Sequence, residues 1–436
     1  MHNQKQAIKS KATNLNKIGK RASCQLLALL ALTAPANAFD LKLTAPDGSE
    51  RDFFGGSVAL RDNLALIGAP LDDDNARNSG SAYLFDTTTG SLLQKFTAPD
   101  GSDGDIFGNS VALSDNLALI GAPGDDDKGT DSGSVYLFDT TTGSLLQKFI
   151  APDGFSAGVF GGSLTLRDNL ALIGAPGDQE NGILSGSAYL FDTSTGSLLQ
   201  KFTAPDGSDE DLFGFSVALS DNLALIGALL DDDKGRSSGS TYLFDTTTGS
   251  LLQKFTPPDG SEFNFFGNSV ALSDRLALIG ASGDDDKGRS SGSTYLFDTT
   301  TGSLLQKLTA PDGSEGDIFG NSVALSDRLA LIGAPGDQDN GENSGSAYLF
   351  DITTGSLLQK FTPPDGSDGD FFGGLIALRD NLALIGAPGD QDNGENSGSA
   401  YLFTINPQPT PEPSSLLGIA GTVAIAALSR KKQQKK

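Results

Sequence analysis

The chain writes one sentence seven times. Lys42, Lys95, Lys148, Lys201, Lys254, Lys307 and Lys360 stand 53 residues apart, and Phe54, Phe107, Phe160, Phe213, Phe266, Phe319 and Phe372 keep the same period without an insertion. A unit of that length cannot bury an apolar face alone. It must stack on its neighbours, as an open solenoid or as a closed ring.

One unit reads as four strands. In the second copy, Ser110 to Leu113 is short and apolar, and Ser114-Asp115-Asn116 is a turn. Leu117 to Ala122 follows, then a polar, glycine-rich loop from Pro123 to Gly133. Ser134 to Phe138 is rich in β-prone residues, Asp139 to Gly143 turns, and Ser144 to Ile150 is a fourth strand. No helical period interrupts this pattern outside the two ends of the chain. The termini favour a ring. The seventh unit stops at Thr404, before its fourth strand, and Phe39-Asp40-Leu41-Lys42-Leu43 aligns with the missing "LLQKF". The fold expected for residues 39–405 is therefore all-β: a seven-bladed β-propeller of four-stranded repeats, closed by pairing of the N-terminal strand with the last blade. Closure buries the final edges.

Phe107-Gly108, Gly121-Ala122-Pro123 and the "SGSVYLF" strand, repeated in register over residues 39–405, resemble the FG-GAP family, whose seven-bladed propellers include the heads of integrin α-subunits. The fourth and fifth copies depart, with Gly227-Ala228-Leu229 and Gly280-Ala281-Ser282. Phe107, Leu117, Ile120, Tyr136, Phe138 and Phe149, with their equivalents, read as packing between blades, and Gly108 as a tight corner.

Charge is distributed unevenly. Of 55 acidic residues, 54 lie between residues 39 and 405, whereas 11 of the 30 basic residues lie outside. In an up-and-down blade the 2–3 loop and the 4–1 connection emerge on one face and the 1–2 and 3–4 turns on the other. The first pair carries 40 of the acids and only 7 basic residues. So acidic a surface repels nucleic acid and anionic lipid and attracts cations. Two exposed carboxylates about 5 Å apart repel by roughly 0.8 kcal/mol in water. Bound cations relieve that.

The loop spacing suits a hard cation, because alternate carboxylates precede a glycine that permits a sharp turn. The candidate calcium ligands are Asp125 and Asp127, Asp178 and Glu180, Asp231 and Asp233, Asp284 and Asp286, Asp337 and Asp339, and Asp390 and Asp392. Ala76 breaks the pattern in the first copy, and no bidentate Glu follows at the spacing of an EF-hand. A solvated acidic loop is the competing reading. The FG-GAP resemblance does not supply these ligands: that family often carries its calcium loop between strands 1 and 2, where this chain has only Ser114-Asp115-Asn116 or its equivalents.

The ends read as targeting segments. Residues 1–38 combine six basic residues, the apolar run Leu26 to Leu32 and a small-x-small cleavage site, Ala36-Asn37-Ala38, as an export signal does. Its removal takes away the only Met, Cys and His. Residues 406–415 form a Pro-rich linker. Residues 411–436, with Pro411-Glu412-Pro413, the apolar stretch Leu416 to Leu428 and Arg430-Lys431-Lys432, resemble a PEP-CTERM sorting signal. Thirteen apolar residues are short for a permanent span, which needs about 20. That resemblance implies processing by an exosortase, transient contact with the inner membrane, and a bacterial cell-surface or extracellular address.

Without thiol or imidazole, and with most of the acids repeated around the ring, a unique catalytic constellation is not apparent. The leading expectation is a non-enzymatic adhesion or binding scaffold whose partners are exopolysaccharide or surface proteins. The alternatives are a passive matrix protein and a hydrolase working through paired carboxylates.

Overall fold

The structure is a computed structural model that describes residues 41–405 apart from Asp274. The cleavage site Ala36 and Ala38, the sorting residues Pro411, Glu412 and Pro413, and the linker lie outside the described residues. Within them are seven four-stranded antiparallel sheets and no helix.

Blade 2 shows how the sequence builds a sheet. Its strands are Ser110–Ser114, Leu117–Ala122, Ser134–Asp139 and Leu145–Phe149, each within one residue of the ends read from sequence. Ile120 pairs with Tyr136, and Tyr136 pairs with Lys148. The second and third strands are almost wholly buried, because neighbouring blades cover both of their faces. Near-continuous apolar runs are the sequence signature of that burial.

The first strand of every blade lies beside the first strands of the blades before and after it, and the contact of Ser57–Arg61 with Ile376–Arg379 completes the circle. The first strands therefore surround the axis and the fourth strands form the rim. Apolar clusters bridge blades: Leu66, Leu84 and Phe96 of blade 1 pack with Phe107, Ile120, Tyr136 and Phe138 of blade 2. Burying each such phenylalanine contributes about 2–3 kcal/mol. The Phe107 ring meets Tyr136 edge-on at 5.5 Å.

Polar latches join neighbouring blades. Ser57 Oγ donates to the Gly108 carbonyl at 2.6 Å, and Ser110 Oγ repeats the bond to Gly161 at 2.7 Å. Gly108 has φ +91°, and a Cβ there would run into the Ser81 carbonyl. A Cβ on Gly121 would occupy the place of the Gly161 carbonyl. The FG and GAP glycines thus permit backbone of one blade to touch backbone of the next.

The N-terminal strand, Leu41–Leu43, pairs with Ser399–Thr404 as the ring expectation required. The expectation about edges needs correction. Leu41–Leu43 covers Ser399–Thr404 but becomes an outer strand itself, and every blade keeps a rim edge. In blade 2 that edge exposes Leu145 and Leu146.

Candidate functional site

Tyr136 and Lys148 are cross-strand neighbours, so their side chains leave the sheet on the same side. The ammonium stands 4.9 Å from the centre of the tyrosine ring. Both reach the face of the 2–3 loop. There the Tyr136 hydroxyl donates to Asp100 Oδ1 at 2.8 Å and contacts Asp125 Oδ2 at 2.8 Å. Lys148 Nζ lies 2.8 Å from Asp100, 3.0 Å from Asp125 and 2.8 Å from Asp127. A hydroxyl has one proton, so it donates to one carboxylate at a time and the ammonium supplies the rest.

The loop wires its own acids. The Asp127 amide donates to Asp125 Oδ1, and the Asp131 amide donates to Asp126 Oδ1. Ser132 Oγ accepts from the Lys128 amide and donates to the Asp125 carbonyl. The glycine of the motif does its expected work, since Gly129 has φ +141°. Asp125 is almost fully buried.

The cluster recurs in every blade. Lys95 meets Asp47, Asp72 and Asp74. Lys201 meets Asp153, Asp178 and Glu180. Lys254 meets Asp206, Asp231 and Asp233. Lys307 meets Asp259, Asp284 and Asp286. Lys360 meets Asp312, Asp337 and Asp339. Blade 7 takes its lysine from the other end of the chain: Lys42 lies 2.7 Å from Asp365, 2.9 Å from Asp390 and 2.6 Å from Asp392. Blade 1 forms the cluster although Ala76 stands in the glycine position, so the glycine is not what brings the acids together.

The electrostatics favour an ammonium that keeps its proton. Burial alone pulls Lys148 down, but hydrogen bonds to Asp100, Asp127 and Asp125 outweigh it and hold the lysine far above its ordinary range. Burial works to raise the Asp100 carboxyl, and Lys148 with Tyr136 more than offsets it, so the group ends below its usual value. Burial, then the bond to Asp100 and the charge of Asp125, drives the Tyr136 hydroxyl far upward. Neither Lys148 nor Tyr136 is a nucleophile or base near neutral pH.

The paired acids read from sequence are thus brought together, two to a blade. Three participants escaped that reading. The third carboxylate, Asp100 and its equivalents, comes from the 4–1 connection. Tyr136 reads from the sequence as packing between blades, and its ring is core, but its hydroxyl bonds to the acids. The lysines stand in the rim strands, yet each lies inside the acidic cluster. All three series share the 53-residue period, which was the available signal.

As a donor set, the cluster has the chemistry of a hard-cation site. In two blades, Asp100 with Asp125 and Asp127 and Asp365 with Asp390 and Asp392, three carboxylate oxygens lie within 4.8 Å of one another. The point they enclose is taken by an ammonium, so a metal ion enters only where the lysine withdraws.

The same face opens on the axis into a cavity of about 400 Å³. Phe215, Leu229, Phe265 and Ser282 line it together with Asn268 and Asn321. Leu229 and Ser282 are the two residues that replace the GAP proline, so the copies diverge where the cavity forms.

Seven blades closed by the N-terminal strand, each carrying one ion cluster, define a repeat propeller. The chain belongs to the FG-GAP repeat family, whose repeat matches residues 39–85, 91–138, 144–191, 197–244, 250–297, 303–350 and 356–403. Each match begins at the rim strand of one blade and runs through three strands of the next. No curated protein matches the sequence significantly.

Proposed function

We propose that this protein is an exported, non-enzymatic binding scaffold that works in adhesion at the bacterial cell surface or in the surrounding matrix. The observation that carries this reading is the axial cavity on the acidic face. There the repeat departs from its pattern at Phe215, Leu229 and Ser282, which set an aromatic and an aliphatic side chain beside amides and hydroxyls. A flat apolar ring edged with hydroxyls, as in a neutral sugar, matches that lining, whereas the surrounding acids repel polyanions. Neutral exopolysaccharide is therefore the partner of choice. Export through the N-terminal signal, processing of the tail by an exosortase and brief contact with the inner membrane complete the proposal.

A glycan array probed with the full chain tests it. Binding to neutral saccharides, lost in Phe215→Asn, which copies the residue of blades 2, 5 and 6, supports the reading. No neutral saccharide bound, or binding unchanged in that variant, overturns it and leaves a passive matrix protein.

The acidic face also gathers cations, and calcium is the one proposed. The lysines are its competitors. Calorimetric titration of the full chain and of Lys148→Met separates two outcomes: ions held in the clusters bind more tightly or in greater number once the ammonium is gone, whereas ions of the diffuse atmosphere follow ionic strength alone.

A further inference from the structure

The axis has a second mouth, on the face of the 1–2 turns. A cavity of about 310 Å³ lies there between the ends of the first strands of blades 7, 1, 2, 3 and 4. Arg61, Arg167 and Arg379 line it, with Ser114 at the same repeat position in blade 2 and one acid, Asp168. Leu113, Leu166 and Leu219 lie buried behind the opening, whose exposed lining is polar.

Composition does not explain this mouth. The chain has a net charge of −25, yet three guanidinium groups border one opening. The repeat writes Arg at this position in blades 1, 3 and 7 and Ser in the other four. The arginines therefore fall on the side of the ring where the cavity opens.

Their partners leave capacity. Arg61 Nη2 donates to Asp115 at 2.8 Å and Arg167 Nη2 to Asp221 at 2.7 Å, in each case an exposed acid on the turn of the next blade. For Arg379, the one ion pair among the described residues runs from Nε to Asp380 of its own turn at 3.7 Å, beyond hydrogen-bond distance. The Nε groups of Arg61 and Arg379 are buried and have no hydrogen-bond partner among the described residues. Arg61 Nε faces Asp62 of its own turn at 3.8 Å, also beyond hydrogen-bond distance. The planar fork of arginine fits the oxygens of a carboxylate or sulfate.

We propose that this mouth is an anion-binding site. It takes one compact oxyanion, free or carried on a saccharide as a sulfate ester. Arg379 is the principal donor, with Arg61 and Arg167 beside it. The site is independent of the neutral-sugar cavity, which opens at the other end of the axis.

The test is titration of the full chain with potassium sulfate against potassium chloride at matched ionic strength. Saturable binding of one sulfate per chain is expected. Arg379→Gln should weaken it at least tenfold while leaving the melting temperature in chloride unchanged, and Arg167→Gln should weaken it as well. Arg275→Gln removes an exposed arginine of a 1–2 turn away from the mouth and should leave affinity intact. Glucose 6-sulfate that displaces sulfate identifies the saccharide-borne ligand; failure to displace it confines the site to the free ion. No saturable signal beyond that of chloride, or equal losses in Arg275→Gln and Arg379→Gln, overturns the proposal.

Discussion

The Lys42 ammonium lies 2.7 Å from Asp365 Oδ2, across 323 positions of the chain. The contact closes the ring and completes the seventh ion cluster at once. Lys42 occupies the point that Lys148 occupies in blade 2, so the seam is chemically the same as any other blade.

The seam is therefore the mechanical weak point. Deleting residues 39–43 leaves Asp365, Asp390 and Asp392 without their cation and uncovers Ser399–Thr404. Asp390 is buried but Asp365 and Asp392 are about half exposed, so removing the ammonium costs less than the roughly 3 kcal/mol of a fully buried pair, and the lost strand pairing adds to that. Thermal unfolding of the deletion variant should shift down by many degrees and below that of Lys42→Met. An unchanged melting curve would show that the ring does not depend on its N-terminal strand.

Tyr136→Phe keeps the buried ring and removes only the hydroxyl between Asp100 and Asp125. A hydrogen bond to a charged acceptor contributes about 1.5–3 kcal/mol. Denaturant unfolding should show a loss of that size with an unchanged m value, since the same surface is buried. A neutral result would reduce the hydroxyl to a bystander of the lysine.

Stability should fall at both ends of the pH scale. Lys148 and its equivalents have folded values raised above the ordinary 10.5, so their contribution is fully present below pH 10.5 and declines as pH rises through the folded value. Asp100 and its equivalents are lowered from 3.8; their contribution is present above that value and is lost as pH falls through the folded one. Asp105, raised by burial, works in the opposite direction on the acid side. Melting temperature should hold from about pH 5 to pH 10 and drop beyond. Lys148→Met should soften the alkaline limb by one cluster in seven; an alkaline limb of unchanged steepness would count against the ammonium as its cause.

Gly121→Ala tests the contact between blades. The added methyl group must displace the Gly161 carbonyl, which is backbone and cannot swing aside. Overpacking of this kind costs about 1–3 kcal/mol. Ala122→Gly, one residue on, should lose about 1–2 kcal/mol through chain flexibility and a lost buried methyl group. A Gly121→Ala variant as stable as the parent would show that the close approach is not the constraint.

Much of this molecule was legible without coordinates. The 53-residue period, the four strands of a unit and the match of Phe39 to Leu43 with the absent rim strand follow from local patterns. Turn residues and apolar runs specify strands from within a few residues of themselves, and close repetition carries one unit's answer to all seven. Strand parity was enough to collect most of the acids on one face. What the acids do there was decided in three dimensions. Asp100 stands 48 positions from Lys148, and Asp125 stands 23 positions from it. Antiparallel register puts Lys148 beside Tyr136, and the lysine stem then carries the charge off the strand and into the loops. No pattern along the chain encodes that reach. The same holds for Arg61, Arg167 and Arg379, whose separation in sequence is bridged only because the ring brings the first strands of blades 7, 1 and 3 around a single axis.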